Sequence, residues 1–385
     1  MTMNQNVFSE TVQTGCDHIM AEVQGQVGFI SLNRPSALNA LSLPMIRAIT
    51  RCLMAWRDDG AIQAVAMRGV SKDVANPNGS KPFGAFCAGG DIRFFHQAVL
   101  AGNPELEDFF TEEYTLNHLI HTYPKPTVAF LDGIVMGGGM GLCQGMTLRL
   151  ATENTKMAMP ETQIGLFPDV GGGYFLGRCP GHVGEWLALT GDVFTATDAV
   201  AFGLADAVVE STHFPTIWNA LGSRIDVSQE ALHRLIAPHR VAERDHASRA
   251  RSLIDPVFSL GSVGEIVTAL EGDSSAWAID AAAKLRQRSP LMLRVTLEQI
   301  RRARSMSLAD ELRMERDMVR HCFAPHHLGK TAQQCETAEG IRAQAIDKDR
   351  KPRWSPAAIE DVTAEMVSPF FDSPWPAHAH PLKSL

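Results

Sequence analysis

Glu161 and Asp169 stand at either end of an apolar stretch, PETQIGLFPDVGGG (160–173), that closes on three consecutive glycines. A carboxylate among apolar residues is either a solvated loop charge or an acid tuned for proton transfer or nucleophilic attack. This stretch alone does not choose between them. Two further glycine segments, FCAGGD (86–91) and MGGGMG (136–141), each leave a strand-like run and enter a helix-like one. Turns without Cβ atoms leave backbone N–H groups unpaired and approachable. Two such donors converging on one carbonyl oxygen form an oxyanion hole, each worth ~3 kcal/mol of transition-state stabilisation. Close packing of a helix on a strand explains one glycine turn equally well. Two turns of the same form, together with two acids, favour the chemical reading.

Competing motifs fail on spacing. A dinucleotide fingerprint, G-x-G-x-x-G, ends on Leu142 when counted from Gly137, on Gln144 from Gly139 and on Leu176 from Gly171. Gly329-Lys330-Thr331 echoes a phosphate-binding loop, but Ala324 stands where its first glycine belongs. There is no G-x-S-x-G elbow. His326-His327 and His378-x-His380 lack further ligands at metal spacing and read as loop and tail histidines. Cys143, beside the glycines of 137–141, reads as a small buried residue rather than a nucleophile.

The elements that must position these residues alternate strand and helix. VGFISL is a buried strand, and LSLPMIRAITRCLMAW places Ile46, Ile49, Leu53 and Trp56 at helical spacing behind Ser42 as N-cap. AIQAVAMRG is the next strand, followed by the loop KDVANPNGSKPFG, FCAGGD and a helix from DIRFFHQAV. After YPKPT come the strand VAFLD, GIVMGGG and a second helix. From about residue 216 charged helices take over, and the arginines of 301–304 read as a solvated helix face. The proline-rich end reads as a loosely ordered tail. The expected segments are a polar lead-in (1–15), a catalytic core (16–215), a helical region over the site (216–355) and the tail (356–385).

At 385 residues the chain buries a sizeable core, and its net charge of −8 argues against a nucleic-acid partner. The amino terminus has no basic and apolar signal pattern, and the glycine-rich window around Asp132 does not suit a lipid-facing helix, so no membrane partner is expected. Seven scattered cysteines without a C-x-x-C pair suit a reducing compartment, and the expectation is cytoplasmic.

In this order, NRPSALNAL, AFCAGGDI, DGIVMGGGMGL and MPETQIGLFPDVGGGYFL, the chain resembles the crotonase (enoyl-CoA hydratase/isomerase) superfamily over residues 16–210. SPLMLRVTLEQI, EGIRAQAIDKDRKPRW and the EEY of 112–114 extend the resemblance over nearly the whole chain, toward a branch that hydrolyses short branched hydroxyacyl-CoA thioesters. The resemblance implies an α/β fold, a crotonase-like spiral of repeated β-β-α turns with a helical C-terminal region. It also implies assembly as a homo-oligomer, a trimer or dimer of trimers, with an acyl-CoA substrate. No redox cofactor or metal is called for, CoA being part of the substrate.

Residue by residue, the resemblance makes the N–H groups of Gly90 and Gly138 the oxyanion hole for the thioester carbonyl. It places Glu113, Asp91, Ile92, Gly138, Glu161 and Asp169 on the substrate. Hydratases of the superfamily use two glutamates, and Gly141 holds the position of the first here, while Glu161 retains the second. Asp169 stands where hydratases tend to carry glycine. The implied catalytic set is Glu161, Asp169, Gly90 and Gly138, with Glu161 attacking the carbonyl or activating water and Asp169 binding the 3-hydroxyl. The glycines 171–173 are expected to let the backbone approach the substrate. A thiolate leaving group, with a pKa of roughly 8.5 if treated as a cysteine thiol, needs little acid assistance. A lyase or isomerase of the same fold and a non-catalytic acyl-CoA-binding protein are the alternatives; the loss at Gly141 counts against the first, the retained acids against the second.

Overall fold

The computed structural model describes residues 9–73, 81–241 and 247–385. Residues 1–8 of the lead-in and 74–80 of the loop before FCAGGD lie outside them. The chain divides into two compact units interleaved along the sequence. The first is Met1–Gly90, Leu119–Met157 and Phe194–Arg244; the second is Asp91–His118, Ala158–Val193 and Asp245–Leu385.

The strands of the described residues, numbered in chain order, are β1 (Ser9–Val12), β2 (Ile19–Gln24), β3 (Val27–Leu32), β4 (Ala64–Gly69), β5 (Thr127–Leu131), β6 (Ile134–Met136), β7 (Leu148–Ala151), β8 (Lys156–Ala158), β9 (Phe194–Thr195) and β10 (Ala207–Val208). A seven-stranded sheet in the order β1-β2-β3-β4-β5-β7-β10 supports the first unit, and β6-β8-β9 form a small second sheet. β1-β2-β3 pair antiparallel, and the remainder of the large sheet runs parallel. β3, β4 and β5 are buried along their whole length, as parallel strands covered on both faces must be.

Alternation along β3 shows what covers each face. At Gly28 a Cβ would lie 2.4 Å from the ring of Trp56, so the helix Leu43–Asp58 packs directly on the backbone there. Ser42 occupies the N-cap position of that helix without a capping side-chain hydrogen bond. Phe29 meets Trp218 with ring centroids 4.6 Å apart. The helices Phe214–Gly222 and Gln229–Ile236 therefore belong to the sheet's core, where Phe214, Ile217, Leu232 and Ile236 join Val27, Phe29 and Phe130. They were expected in the helical cover. Part of the expected lead-in is likewise structural, since β1 pairs Ser9 with Gln24 and Val12 with Ala21.

The second unit is mainly helical. The helices Ile92–Ala101, Glu105–His121 and Leu308–Phe323 meet through Phe95, Phe109, Phe110 and Phe323, with Phe95–Phe110 and Phe110–Phe323 centroids at 5.0 and 5.4 Å. Buried Arg316 ties the last two together through Glu107 and Thr111. Arg304 is not a free solvated charge: it donates to buried Glu185 at 2.8 Å and to the Gly181 carbonyl at 2.9 Å. The tail is also more ordered than its composition predicts. Short helical turns run through Ile359–Asp361, Ala364–Val367 and Ser368–Phe371, and Phe370, His380 and Leu382 are buried. No helix of the described residues is long and apolar enough to cross a membrane.

Candidate active site

The first unit contains both early glycine turns, side by side. FCAGGD follows no full strand; Cys87 makes an isolated parallel bridge to Val135 of β6, donating to the Ile134 carbonyl at 3.0 Å and accepting from Met136 N–H at 2.9 Å. A Cβ at Gly89 would lie 3.6 Å from the Gly138 nitrogen, and one at Gly139 would lie 2.3 Å from the Cys87 carbonyl oxygen. Gly138 opens the helix Gly138–Gln144, so its N–H has no partner within that helix. Gly90 pairs with Leu41 in a parallel bridge and closes the first segment of this unit. Gly141 is buried within the same short helix. Burial pushes the Cys143 thiol up to about 12, which leaves it a neutral packing residue.

The acids assemble in the second unit. Glu161 begins a single 3-10 turn, Glu161–Ile164, and its carbonyl accepts from Leu166 N–H at 3.0 Å. Gly165, at φ +67°, reverses the chain, and the Glu336 carbonyl lies where a side chain would have to stand. IGLF thus folds back so that Asp169 and Glu161 face one another electrostatically. The helix Glu105–His121 adds Glu113 and Tyr114, and the Tyr114 hydroxyl donates to Asp169 Oδ2 at 2.8 Å.

These three carboxyls are 2–6 % exposed, so water does little to stabilise their charge. Burial, then the charge of Asp169, raises Glu161 well above the usual carboxylate range; burial, then Asp169 and Glu161, does the same to Glu113. Asp169 is pushed up to about 6 by burial, against the opposing hydrogen bond from Tyr114. Glu161 Oε2 and Glu113 Oε1 are buried without a hydrogen-bond partner among the described residues. Such atoms are rare in folded interiors and mark a position where a ligand or proton completes the pairing. Among the described residues no His, Cys, Asp or Glu group is arranged to hold a metal ion.

The turn that carries Asp169 is strained. Val170, a β-branched residue, sits at φ +59°, and Gly171 follows at +84°. The left-handed conformation costs a non-glycine residue about 1–3 kcal/mol and persists where surroundings enforce it. Glu315 Oε2 accepts from Gly171 N–H at 2.8 Å, and Glu315 Oε1 accepts from Gly173 N–H at 3.2 Å. Gln299 Nε2 donates to the Pro168 carbonyl at 2.7 Å and to Glu315 Oε1 at 3.0 Å. A Cβ at Gly173 would lie 2.3 Å from Glu311 Oε1. The expected reason for the glycine triplet is therefore corrected for Gly173, whose missing side chain makes room for the protein's own buried acid.

Asp91 and Ile92, assigned to the substrate from the sequence, begin the helix Ile92–Ala101, where the Asp91 side chain accepts from Phe94 N–H at 3.3 Å as N-cap. Glu113, Glu161 and Asp169 are thus brought together in one unit, while Gly90 and Gly138 lie in the other. Sequence reasoning missed Tyr114, Gln299, Glu311 and Glu315. A signal for the last two was present: glutamates at i and i+4 share a helix face, an unfavourable spacing for like charges unless a proton is shared.

Residues 27–371 match the family described as enoyl-CoA hydratase/isomerase. The chain belongs to that family. Mitochondrial 3-hydroxyisobutyryl-CoA hydrolases of Danio rerio and Gallus gallus are 41% and 39% identical to it, each over 92% of this chain and 89% and 88% of their own. The Homo sapiens hydrolase of that name is 37% identical over 93% of this chain and 89% of its own. Among solved structures, a carnitinyl-CoA dehydratase from Mycobacterium thermoresistibile superposes with a TM-score of 0.83 at 34% identity, covering 96% of this chain and 99% of that one. An enoyl-CoA hydratase from Rhodobacter sphaeroides gives 0.81 at 33%, covering 93% and 98%. The fold of this family member is the α/β crotonase-like one expected from its motifs.

The cytoplasmic expectation is overturned by the same relatives, which are mitochondrial by name. Cysteines outside disulfides report a reducing environment and do not distinguish which compartment supplies it; none of the seven is in a disulfide in the structure.

The raised carboxyls have a consequence for stability. For Asp169, held at about 6 in the fold against about 3.9 in an unfolded chain, both states are protonated below about pH 4. As pH rises toward about 6 the unfolded chain releases its proton first, so folding stability falls across that window. Asp169→Asn keeps an acceptor for Tyr114 and removes the titration. Its melting temperature is expected to exceed that of the unaltered protein by several degrees at pH 7.5, with the difference closing at pH 4. Thermal melts at both pH values check this, and a pH-independent difference would defeat it.

Proposed function

We propose that this protein hydrolyses the thioester of 3-hydroxyisobutyryl-CoA, releasing 3-hydroxyisobutyrate and CoA, a reaction of valine degradation. The observation that carries the reading is the acid arrangement. Glu161 is buried, proton-affine and unpaired at Oε2 beside Asp169; by resemblance, Gly141 stands where hydratases carry their other glutamate. The names of the hydrolases it resembles support the same substrate. In this reading Glu161 either attacks the thioester carbon, expelling the CoA thiolate to leave an anhydride that water opens, or takes a proton from the water that attacks. Gly90 and Gly138 are assigned by resemblance to the thioester oxygen, and Glu113 and Asp169 to the acyl group. No cofactor is assigned. Assembly as trimers or dimers of trimers rests on the resemblance alone and is read by sedimentation velocity.

The names of the two solved structures favour a second reading, hydration or dehydration of an enoyl-CoA. One experiment separates the two. Thiol release is measured across short acyl-CoAs, alongside loss of the conjugated double bond of crotonyl-CoA. The hydrolase reading expects thiol release fastest with 3-hydroxyisobutyryl-CoA. Consumption of crotonyl-CoA without thiol release from any ester would overturn it in favour of the lyase.

A further inference from the structure

Asp169 is the acid on which the proposed substrate selectivity turns, yet its own chain conformation is unfavourable. Val170 and Gly171 pass consecutively through left-handed backbone immediately after it, in a turn closed locally by Gly172 N–H donating to the Asp169 carbonyl at 2.8 Å. Two other helices of the same unit hold the turn from outside. Gln299, on Pro290–Ala303, holds the Pro168 carbonyl on one side of Asp169. Glu315, on Leu308–Phe323, holds the N–H groups of Gly171 and Gly173 on the other. Gln299 also donates to Glu315, so the two side chains act as one clamp over residues 168–173.

The clamp is wholly buried: Gln299, Glu311 and Glu315 are each 0 % exposed. Three N–H donors converge on Glu315, those of Gly171, Gly173 and the Gln299 amide. Glu311 and Glu315 lie within hydrogen-bonding reach of one another. Two adjacent carboxylates in such a site cannot both ionise, so the pair retains one proton between them. Glu311 reaches this place because Gly173 has no side chain.

We propose that Glu315, seconded by Gln299 and Glu311, is the positioning residue of this enzyme: its carboxyl group holds the strained 169–173 turn and thereby aims Asp169 at the acyl group. Glu315 touches no substrate in this assignment and acts through the backbone. The catalytic part of the proposal rests on the hydrolase reading above; the clamp itself does not.

Glu315→Gln keeps the side-chain volume but turns one acceptor oxygen into an NH2 group facing an N–H or the Gln299 amide. Hydrogen exchange of the segment 168–173 is expected to accelerate at least tenfold, because one turn amide loses its acceptor and the other keeps only a neutral one. kcat for 3-hydroxyisobutyryl-CoA is expected to fall on the order of tenfold to a hundredfold with KM little changed, since small misplacements of a reacting group have effects of that size. The preference over isobutyryl-CoA should shrink with it, which a loss of folded protein alone would not produce. Gln299→Leu, which frees the Pro168 carbonyl and removes one donor from Glu315 but leaves both turn amides their acceptor, should move each readout in the same direction by a smaller factor. A folded Glu315→Gln protein with unaltered exchange, kcat and preference would overturn the proposal. If that variant does not fold, unaltered values in Gln299→Leu overturn it instead. An unaltered protein that releases no thiol removes the hydrolase reading and leaves the exchange comparison to decide the clamp.

Discussion

Glu161→Gln is expected to lower kcat/KM for 3-hydroxyisobutyryl-CoA by on the order of 10²–10⁴-fold, the range lost with a positioned acid, base or nucleophile. The amide retains the shape of the side chain and removes its basicity and its nucleophilic oxygen. The fold should survive the change, because Glu161 Oε2 makes no hydrogen bond that would be broken and because burial already disfavours the charge. Neutralising an acid held well above its ordinary range removes a cost to the native state above about pH 4, so the melting temperature at neutral pH should hold or rise. The loss should fall on kcat, with KM little altered. Thiol release by the purified variant at the unaltered rate would move the chemistry to another residue, with Glu113 the nearest candidate by burial and charge.

Substrate choice is expected to reside in Asp169. A carboxylate that accepts a hydrogen bond from the 3-hydroxyl discriminates 3-hydroxyisobutyryl-CoA from isobutyryl-CoA, which has the same branching but offers no donor. Asp169 is buried, and Tyr114 already donates to Oδ2, so the hydroxyl would meet the remaining oxygen. A hydrogen bond to a charged acceptor is worth about 1.5–3 kcal/mol, which corresponds to a preference in kcat/KM of roughly tenfold to a hundredfold. Asp169→Asn keeps an acceptor without the charge and should reduce the preference; Asp169→Ala removes both and should nearly erase it. Equal rates on the two thioesters with the unaltered enzyme, or an equal fall on both with Asp169→Ala, would make Asp169 a general acid or structural residue instead.

These experiments address a site whose parts differed in how visible they were. Glycine runs are visible because their absent side chains are written in the sequence, and two runs of one form before helical patterns predict paired backbone turns without coordinates. Glu161 and Asp169 stood out because acids beside apolar residues violate the usual pattern of solvation. The strands β3, β4 and β5 were legible from short apolar runs between breakers, and the family motifs carried the fold class with them. Local patterns of this kind report on neighbours within a few residues, which is the range over which hydrophobic period and turn chemistry act.

The tertiary structure decided what lay beyond that range. Whether helices 214–236 cover a site or complete a sheet depends on which surface offers Phe29 and Phe130, and no local pattern contains that information. Tyr114 reaches Asp169 across 55 positions, and Glu315 reaches Gly171 across 144. Each is an ordinary helical residue until folding removes the water around it. Gly173 shows the same limit from the other side: its sequence announces that space is needed, but only packing reveals that a buried glutamate fills it. The sequence alone singled out the glycine turns and the candidate acids. Their proton affinities and the aim of Asp169 came from long-range burial, because desolvation and charge act through space and are indifferent to separation along the chain.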